Sequence, residues 1–221
     1  MRKTSITDCI RELGFSTLEL LVVVTVGIIL TAVAIPKITS FTRLYRSLGD
    51  ARSVSDTVSL AKMRAAAEFT DARVYADTAK NLYRVEVWDR TQNCWVTDGD
   101  ATGQCSATYV TPPSTYLSTG TTFGYGSLTS APANTQATLG QAPACQSDSQ
   151  TQSQSAGSVA NSACIVFNSR GIPVDNTMTA TSNDALYVTD NKSGAYGVTV
   201  LATGLIQTWR SDLGSANWIN R

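Results

Sequence analysis

The sequence predicts an α+β protein: one long N-terminal helix packed on an antiparallel β-sheet domain. Three observations lead there. An unbroken apolar run covers 15–35, FSTLELLVVVTVGIILTAVAI, with Glu19 as its one ionisable side chain. Apolar residues then recur three or four apart, at Phe41, Leu44, Leu48, Ala51, Val54, Val58, Ala61, Ala65 and Phe69, which is the spacing of one helical stripe. Beyond Asp71 the period changes to two, and turn residues divide the chain into short segments.

The first run of 21 residues spans roughly 31 Å as a helix at about 1.5 Å per residue, enough to cross a bilayer core. A cleaved secretory signal is the rival reading, since Arg2, Lys3 and Arg11 precede the run. The run exceeds the usual apolar length of such signals, and it ends in Ala34, Ile35, Pro36, Lys37 without an Ala-x-Ala site, so the segment is expected to stay on the protein. Glu19 then needs a reason, because a carboxylate in hydrocarbon costs at least about 2–3 kcal/mol. No Lys or Arg lies within the span to neutralise it. A cut after Gly14 would place a new α-ammonium on Phe15 one helical turn away, as a partner in the same molecule or a neighbour. A position at the lipid headgroup level is the plainer alternative.

After the run, the stripe carries the helix to about Thr70 and offers the sheet a packing face, with the basic residues on a solvated or partner-facing side. Gly27 and Pro36 are the expected bend points, since glycine weakens a helix and proline removes a backbone donor. At 82–88, Tyr83, Val85 and Val87 alternate with Arg84 and Glu86, as in a half-buried strand. Further strands are expected at 164–167, 186–189, 196–201 and 205–209, separated by turns at 170–173, 190–194 and 203–204. Between 127 and 162 the large apolar residues are only Leu128, Leu139 and Val159, with no aromatic, so this stretch is expected to be a mobile Ser/Thr/Gln-rich loop or insertion.

Composition narrows function. The 221 residues hold 17 basic and 17 acidic side chains, so bulk attraction to nucleic acid is not expected. Histidine is absent, which excludes a Ser-His-Asp triad, a Cys-His dyad, a histidine metal ligand and a histidine pH switch. With Cys9 in the segment before Gly14, four cysteines remain beyond it: Cys94, Cys105, Cys145 and Cys164. An even number in an exported domain suggests two disulfides, and Cys94–Cys105 with Cys145–Cys164 is favoured because each closes a local loop. A zinc site would need closely spaced CxxC pairs, which are absent.

Gly14-Phe15-Ser16-Thr17-Leu18-Glu19, after a short basic leader and before a long apolar helix, resembles the prepilin cleavage motif of type IV pilins and type II secretion pseudopilins. The resemblance implies a type IV pilin-like fold, a leader at 1–14, a transmembrane and filament-core helix at 15–36, its amphipathic continuation at 37–70, and a periplasmic β-rich domain at 71–221. It implies that a prepilin peptidase cuts between Gly14 and Phe15 and methylates the Phe15 amine, that Glu19 guides docking into a filament, and that the partners are other pilins or pseudopilins and an inner-membrane assembly platform. Basic residues flank the span on both sides, Lys37, Arg43, Arg46 and Arg52 against Arg2, Lys3 and Arg11, so charge counting does not orient it. The resemblance puts the leader in the cytoplasm.

The order of helix and strands, with 59–67, 83–88, 165–171 and the closing hairpin at Gly204, is similar to the minor pseudopilin H and FimT-like minor pilin family (GspH/FimT). That resemblance implies a structural subunit with no cofactor, no metal and no catalysis. DNA binding for uptake, known among FimT-like members, is the alternative. It is weakened here because Gly204-Leu205-Ile206-Gln207 lacks paired arginines, 91–169 holds no Lys or Arg, and only Arg210 and Arg221 lie near the end. A membrane-anchored periplasmic enzyme is a further alternative, from Ser59-Leu60-Ala61-Lys62 as S-x-x-K and Lys192-Ser193-Gly194 as a K-T-G analogue. Ser182-Asn183-Asp184 does not supply the third element of that set. Asp98 and Asp100 hint at calcium but lack a full loop of oxygen ligands.

Overall fold

A computed structural model of the chain describes residues 16–106, 111–146, 157–175, 177–182, 184–215 and 217–220. Among the described residues one α-helix, α1 (Thr17–Ala67), precedes eleven strands. These are β1 (Ala72–Asp77), β2 (Leu82–Asp89), β3 (Cys94–Thr97), β4 (Thr115–Tyr116), β5 (Thr122–Phe123), β6 (Ser162–Phe167), β7 (Pro173–Val174), β8 (Asp184–Thr189), β9 (Gly194–Val200), β10 (Ile206–Asp212) and β11 (Ile219–Asn220). The chain forms two compact units, one reaching Phe41 and the other running from Thr42 to the end.

In the second unit all strand pairs are antiparallel. They make two sheets. The first has the order β3-β2-β1-β6-β7 with β4 also on β2, and the second β11-β10-β9-β8-β5. The helical stripe Ala51, Val54, Val58, Ala61 and Ala65 is fully buried against both. The first sheet contributes Val74, Val85, Ile165 and Phe167, and the second Leu186, Val188, Tyr196 and Val198. Each buried valine of the stripe contributes on the order of 1.5–3 kcal/mol. The stripe is shorter than its sequence pattern: Phe41 is exposed and lies in the other unit, and Phe69 is exposed beyond the helix end at φ 52°. The helix closes at Ala67 because Phe69 takes the left-handed conformation that commonly terminates helices. Buried polar side chains also tie the helix down. The Asp50 carboxylate accepts from the Ser118 amide and hydroxyl, and Tyr83 donates its phenol to Ser53 Oγ at 2.7 Å.

The face of β2 that carries Arg84 and Glu86 is not a solvated strand face, as alternation alone suggests. Register sets Arg73 on β1 opposite Glu86. Arg73 Nε reaches Glu86 Oε2 at 2.6 Å, Arg84 Nε reaches Glu86 Oε1 at 2.7 Å, and Glu86 is fully buried. The Arg73 guanidinium lies 4.2 Å from the centre of the Trp95 ring and that of Arg84 lies 4.0 Å from the Tyr75 ring. Charges reach the interior here because each is matched by an opposite charge and an aromatic face.

The segment expected to be mobile is instead tied to the sheet up to Gln146. Gln141 donates to the Tyr187 carbonyl and accepts from the Tyr187 amide, both at 2.8 Å, a side chain standing in for a strand. Gln136 accepts the Tyr187 phenol at 2.7 Å, and Tyr125 and Trp218 pack on the same ring. The Ala142 amide donates to Ala185 on β8, and the Pro143 carbonyl accepts from Cys164 on β6, so one short stretch bridges the two sheets. Burial pushes the Tyr187 phenol well above its ordinary pKa, consistent with its place under this cover.

The closing hairpin depends on Gly204. It sits at φ 78°, and a Cβ there would lie 2.5 Å from the Gly171 carbonyl oxygen and 3.2 Å from Lys62 Nζ, which itself donates to the Gly204 carbonyl at 2.8 Å. Lys62 is therefore held against the two glycines rather than on a solvated side. Gly204→Ala should destabilise the domain by about 2–3 kcal/mol, through the left-handed backbone and the close contact together. Urea unfolding followed by circular dichroism checks this, and an unchanged midpoint would mean that the turn relaxes freely.

Candidate functional site

The first unit is helix, and its surface is the chain's most distinctive feature. Ser16 starts it: its carbonyl accepts from Leu20 at 3.1 Å and its hydroxyl from the Leu18 amide at 3.3 Å, which is N-cap geometry. Glu19 then falls in the first turn, where a carboxylate is favoured by the helix dipole. From Leu18 to Ile38 the large apolar residues are exposed all round the helix, Leu18 at 73%, Ile29 at 64% and Ile38 at 63%. No stripe faces a core, so this half-helix needs an apolar medium or other helices around it.

Its polar groups are suited to such a medium. Thr25 donates its hydroxyl to the Val22 carbonyl and Thr31 to those of Gly27 and Ile28, all at 2.9 Å, so neither presents an unpaired donor to its surroundings. α1 is long and apolar enough to cross a membrane, with a mean hydropathy of 2.7 in its apolar part. Gly27 and Pro36 both lie inside the helix as assigned. Gly14 and Phe15, on either side of the expected cut, and Cys9 and Arg221 lie outside the described residues.

The cysteines are joined as Cys94–Cys105 and Cys145–Cys164, with Cα separations of 5.6 and 4.9 Å, the two local pairings favoured from loop closure. The first staples the β3 edge beside Trp95. The second ties the covering segment to β6, where Ser162 Oγ also accepts from the Cys145 amide at 3.0 Å.

The other candidate groups have structural occupations. Ser59 donates to the Ser55 carbonyl at 3.0 Å and Lys62 to that of Gly204, so neither serves the other as nucleophile and base. Lys192 and Ser193 lie in the β8–β9 turn and Gly194 opens β9, and the amides of all three donate to the Asp190 carboxylate. Those bonds, with that of the Ser193 hydroxyl, outweigh its partial burial and hold Asp190 below the usual carboxylate range. Asp98 pairs with Arg64 Nε at 3.0 Å, and Asp100 accepts from Thr102 and Gln104 within its own turn. Among the described residues no group of three or more His, Cys, Asp or Glu side chains is arranged to hold a metal.

Fold and helix together define an α+β chain with a long N-terminal helix, apolar in its first part, and a disulfide-linked domain of two antiparallel sheets. No protein-family model and no curated protein matches it. Among solved structures it is similar to the minor pseudopilin EpsH from the Type 2 Secretion System of Vibrio cholerae, at 13% identity and a TM-score of 0.40, over 77% of this chain and 99% of that one.

Proposed function

We propose that the chain is a minor subunit of a type II secretion pseudopilus or type IV pilus, whose work is assembly and initiation of the filament rather than catalysis. The observation that carries this is the run Gly14-Phe15-Ser16-Thr17-Leu18-Glu19 leading into a helix whose first part is apolar and exposed on every side. The helix anchors the subunit in the inner membrane and then packs against its neighbours' helices in the filament, with Gly27 and Pro36 as the points where it can bend. Two disulfides suit a periplasmic domain.

Prepilin peptidase removes 1–14 and methylates the new amine on Phe15. That amine keeps its positive charge and meets Glu19 of the same or an adjacent subunit, so a carboxylate that is costly in hydrocarbon becomes a device for register. The partners are the peptidase, other pilins or pseudopilins and the assembly platform in the membrane.

Intact mass and N-terminal sequencing of the membrane-extracted chain, with and without a co-expressed prepilin peptidase, test the reading. The expected product begins at a methylated Phe15. Glu19→Val should still be cut yet no longer co-purify with neighbouring subunits. An N-terminus left at Met1 in the presence of active peptidase, or a cut near Ala34, would overturn the proposal and leave a simple anchor or a secreted domain.

A further inference from the structure

A second feature belongs to the globular unit alone and does not depend on the fate of the helix. On the face of the first sheet turned away from the core, a cavity of about 140 Å³ lies between β6, β7 and the covering segment. Its walls include Trp95, Val166, Val174 and the Cys145–Cys164 disulfide. Asp184, at the start of β8, lines the same cavity. Asp184 is 3% exposed, and its Oδ2 has no hydrogen-bond partner.

A buried carboxyl oxygen without a partner is costly, and apolar walls cannot offset that cost. Among the described residues, two other charged groups line the cavity. Asp175 adds negative charge; the hydroxyl and amide of Thr177 and the amide of Thr179 outweigh its slight burial and keep it below the usual carboxylate range. Arg73 is positive, but it is bound to Glu86 and to the Gln146 carbonyl at 2.9 Å and stacked on Trp95. The combination of an apolar slot and a carboxyl with one unanswered oxygen matches a guest with an aliphatic stem and a cationic donor at its tip. A cavity of this size class accepts a benzene-sized molecule. A four-carbon ammonium, with about five heavy atoms, is within that limit.

We propose that this cavity binds a linear primary alkylammonium group, free or as a lysine side chain, with the Asp184 carboxylate as counter-ion and the Trp95, Val166 and Val174 wall around its stem. No bond is made or broken; the interaction is a charge-assisted hydrogen bond in a partly dry site.

Burial first, and then the Asp175 carboxylate, push Asp184 up to a pKa of about 7, so the empty site is mostly protonated at pH 6 and mostly ionised at pH 8. Alkylammonium and guanidinium stay charged over that interval, and Asp175 stays ionised.

The test is calorimetric titration of the detergent-extracted full chain with n-butylammonium chloride, at constant ionic strength. Saturable binding is expected, about tenfold tighter at pH 8 than at pH 6, and at least about tenfold weaker in Asp184→Asn at pH 8. Titration with N-acetyl-lysine methylamide separates the sources. Binding of it beside butylammonium identifies a lysine side chain as the guest, and binding of butylammonium alone identifies a free amine. Absence of saturable binding at pH 8, or binding indifferent to both pH and Asp184→Asn, overturns the proposal. Should the variant fail to fold, the two wild-type titrations decide by themselves.

Discussion

Replacing Glu86 with alanine will lower the stability of the domain by about 3–5 kcal/mol, because it strands two guanidiniums that have little access to water. The Arg73 and Arg84 side chains are 4% and 11% exposed, and both are bound to the one carboxylate. For a domain of this size the loss corresponds to a fall in melting temperature on the order of 10 °C, readable by circular dichroism. A loss under about 1 kcal/mol would show that water reaches the guanidiniums and that the cluster is worth no more than a surface pair. The same carboxylate sets an acid response. Burial would raise its pKa, but the two arginines outweigh burial and hold it below its ordinary value of 4.5. Its contribution is therefore complete above pH 4.5 and is lost as pH falls through the depressed folded value. Between those limits wild type should lose stability with acid more steeply than Glu86→Ala does.

Removing the Cys145–Cys164 bridge by a double substitution to serine should cost about 3 kcal/mol, on the chain-entropy estimate for a loop of about 20 residues. The two cysteines are 19 positions apart in the chain. The effect should also be localised. The Ala142 amide, bound to Ala185, and the Cys164 amide, bound to Pro143, should exchange with solvent much faster, while amides of β9 and β10 keep their protection relative to global unfolding. Uniform loss of protection along the chain would mean instead that the bridge holds the whole domain rather than its cover.

What could be read beforehand follows the range of the forces involved. The helix, its apolar first part and its buried stripe are local patterns of three to four residues and were legible, as were β2, β6, β8, β9 and β10. β1 was missed although Ala72-Arg73-Val74-Tyr75-Ala76-Asp77 alternates, because alanine carries little strand preference and its inward positions are mostly alanine. β7 was taken for part of a turn, since Pro173 and its neighbours look like one until β6 pairs with them. The buried charge cluster was beyond reach because Arg73 meets Glu86 only when β1 lies beside β2. The cover over Tyr187 escapes a reading of the sequence for a related reason: polarity and lack of aromatics describe 127–146 by themselves, whereas the order there comes from an aromatic side chain on β8. Of the candidate site, the motif and the apolar helix are linear features and visible in sequence. Asp184 had been noted only as part of a failed catalytic motif, and its isolation follows from burial that no local pattern encodes.

The strand lengths have a consequence for how copies of this chain meet. The second sheet ends in β11 and β5 and the first in β7, each of two residues, while the β3 edge is joined by a bridge from Val96 to Cys105 and an amide from Ser106. Borders so short or already occupied offer an incoming strand only brief runs of open backbone among the described residues, as on β10, where β11 covers Trp209 and Arg210. Long edge-to-edge β-pairing is thereby limited, which matters wherever copies of the chain crowd together. Encounters between its globular units are left to side chains, whose chemistry can be selective where an open row of amides and carbonyls is not.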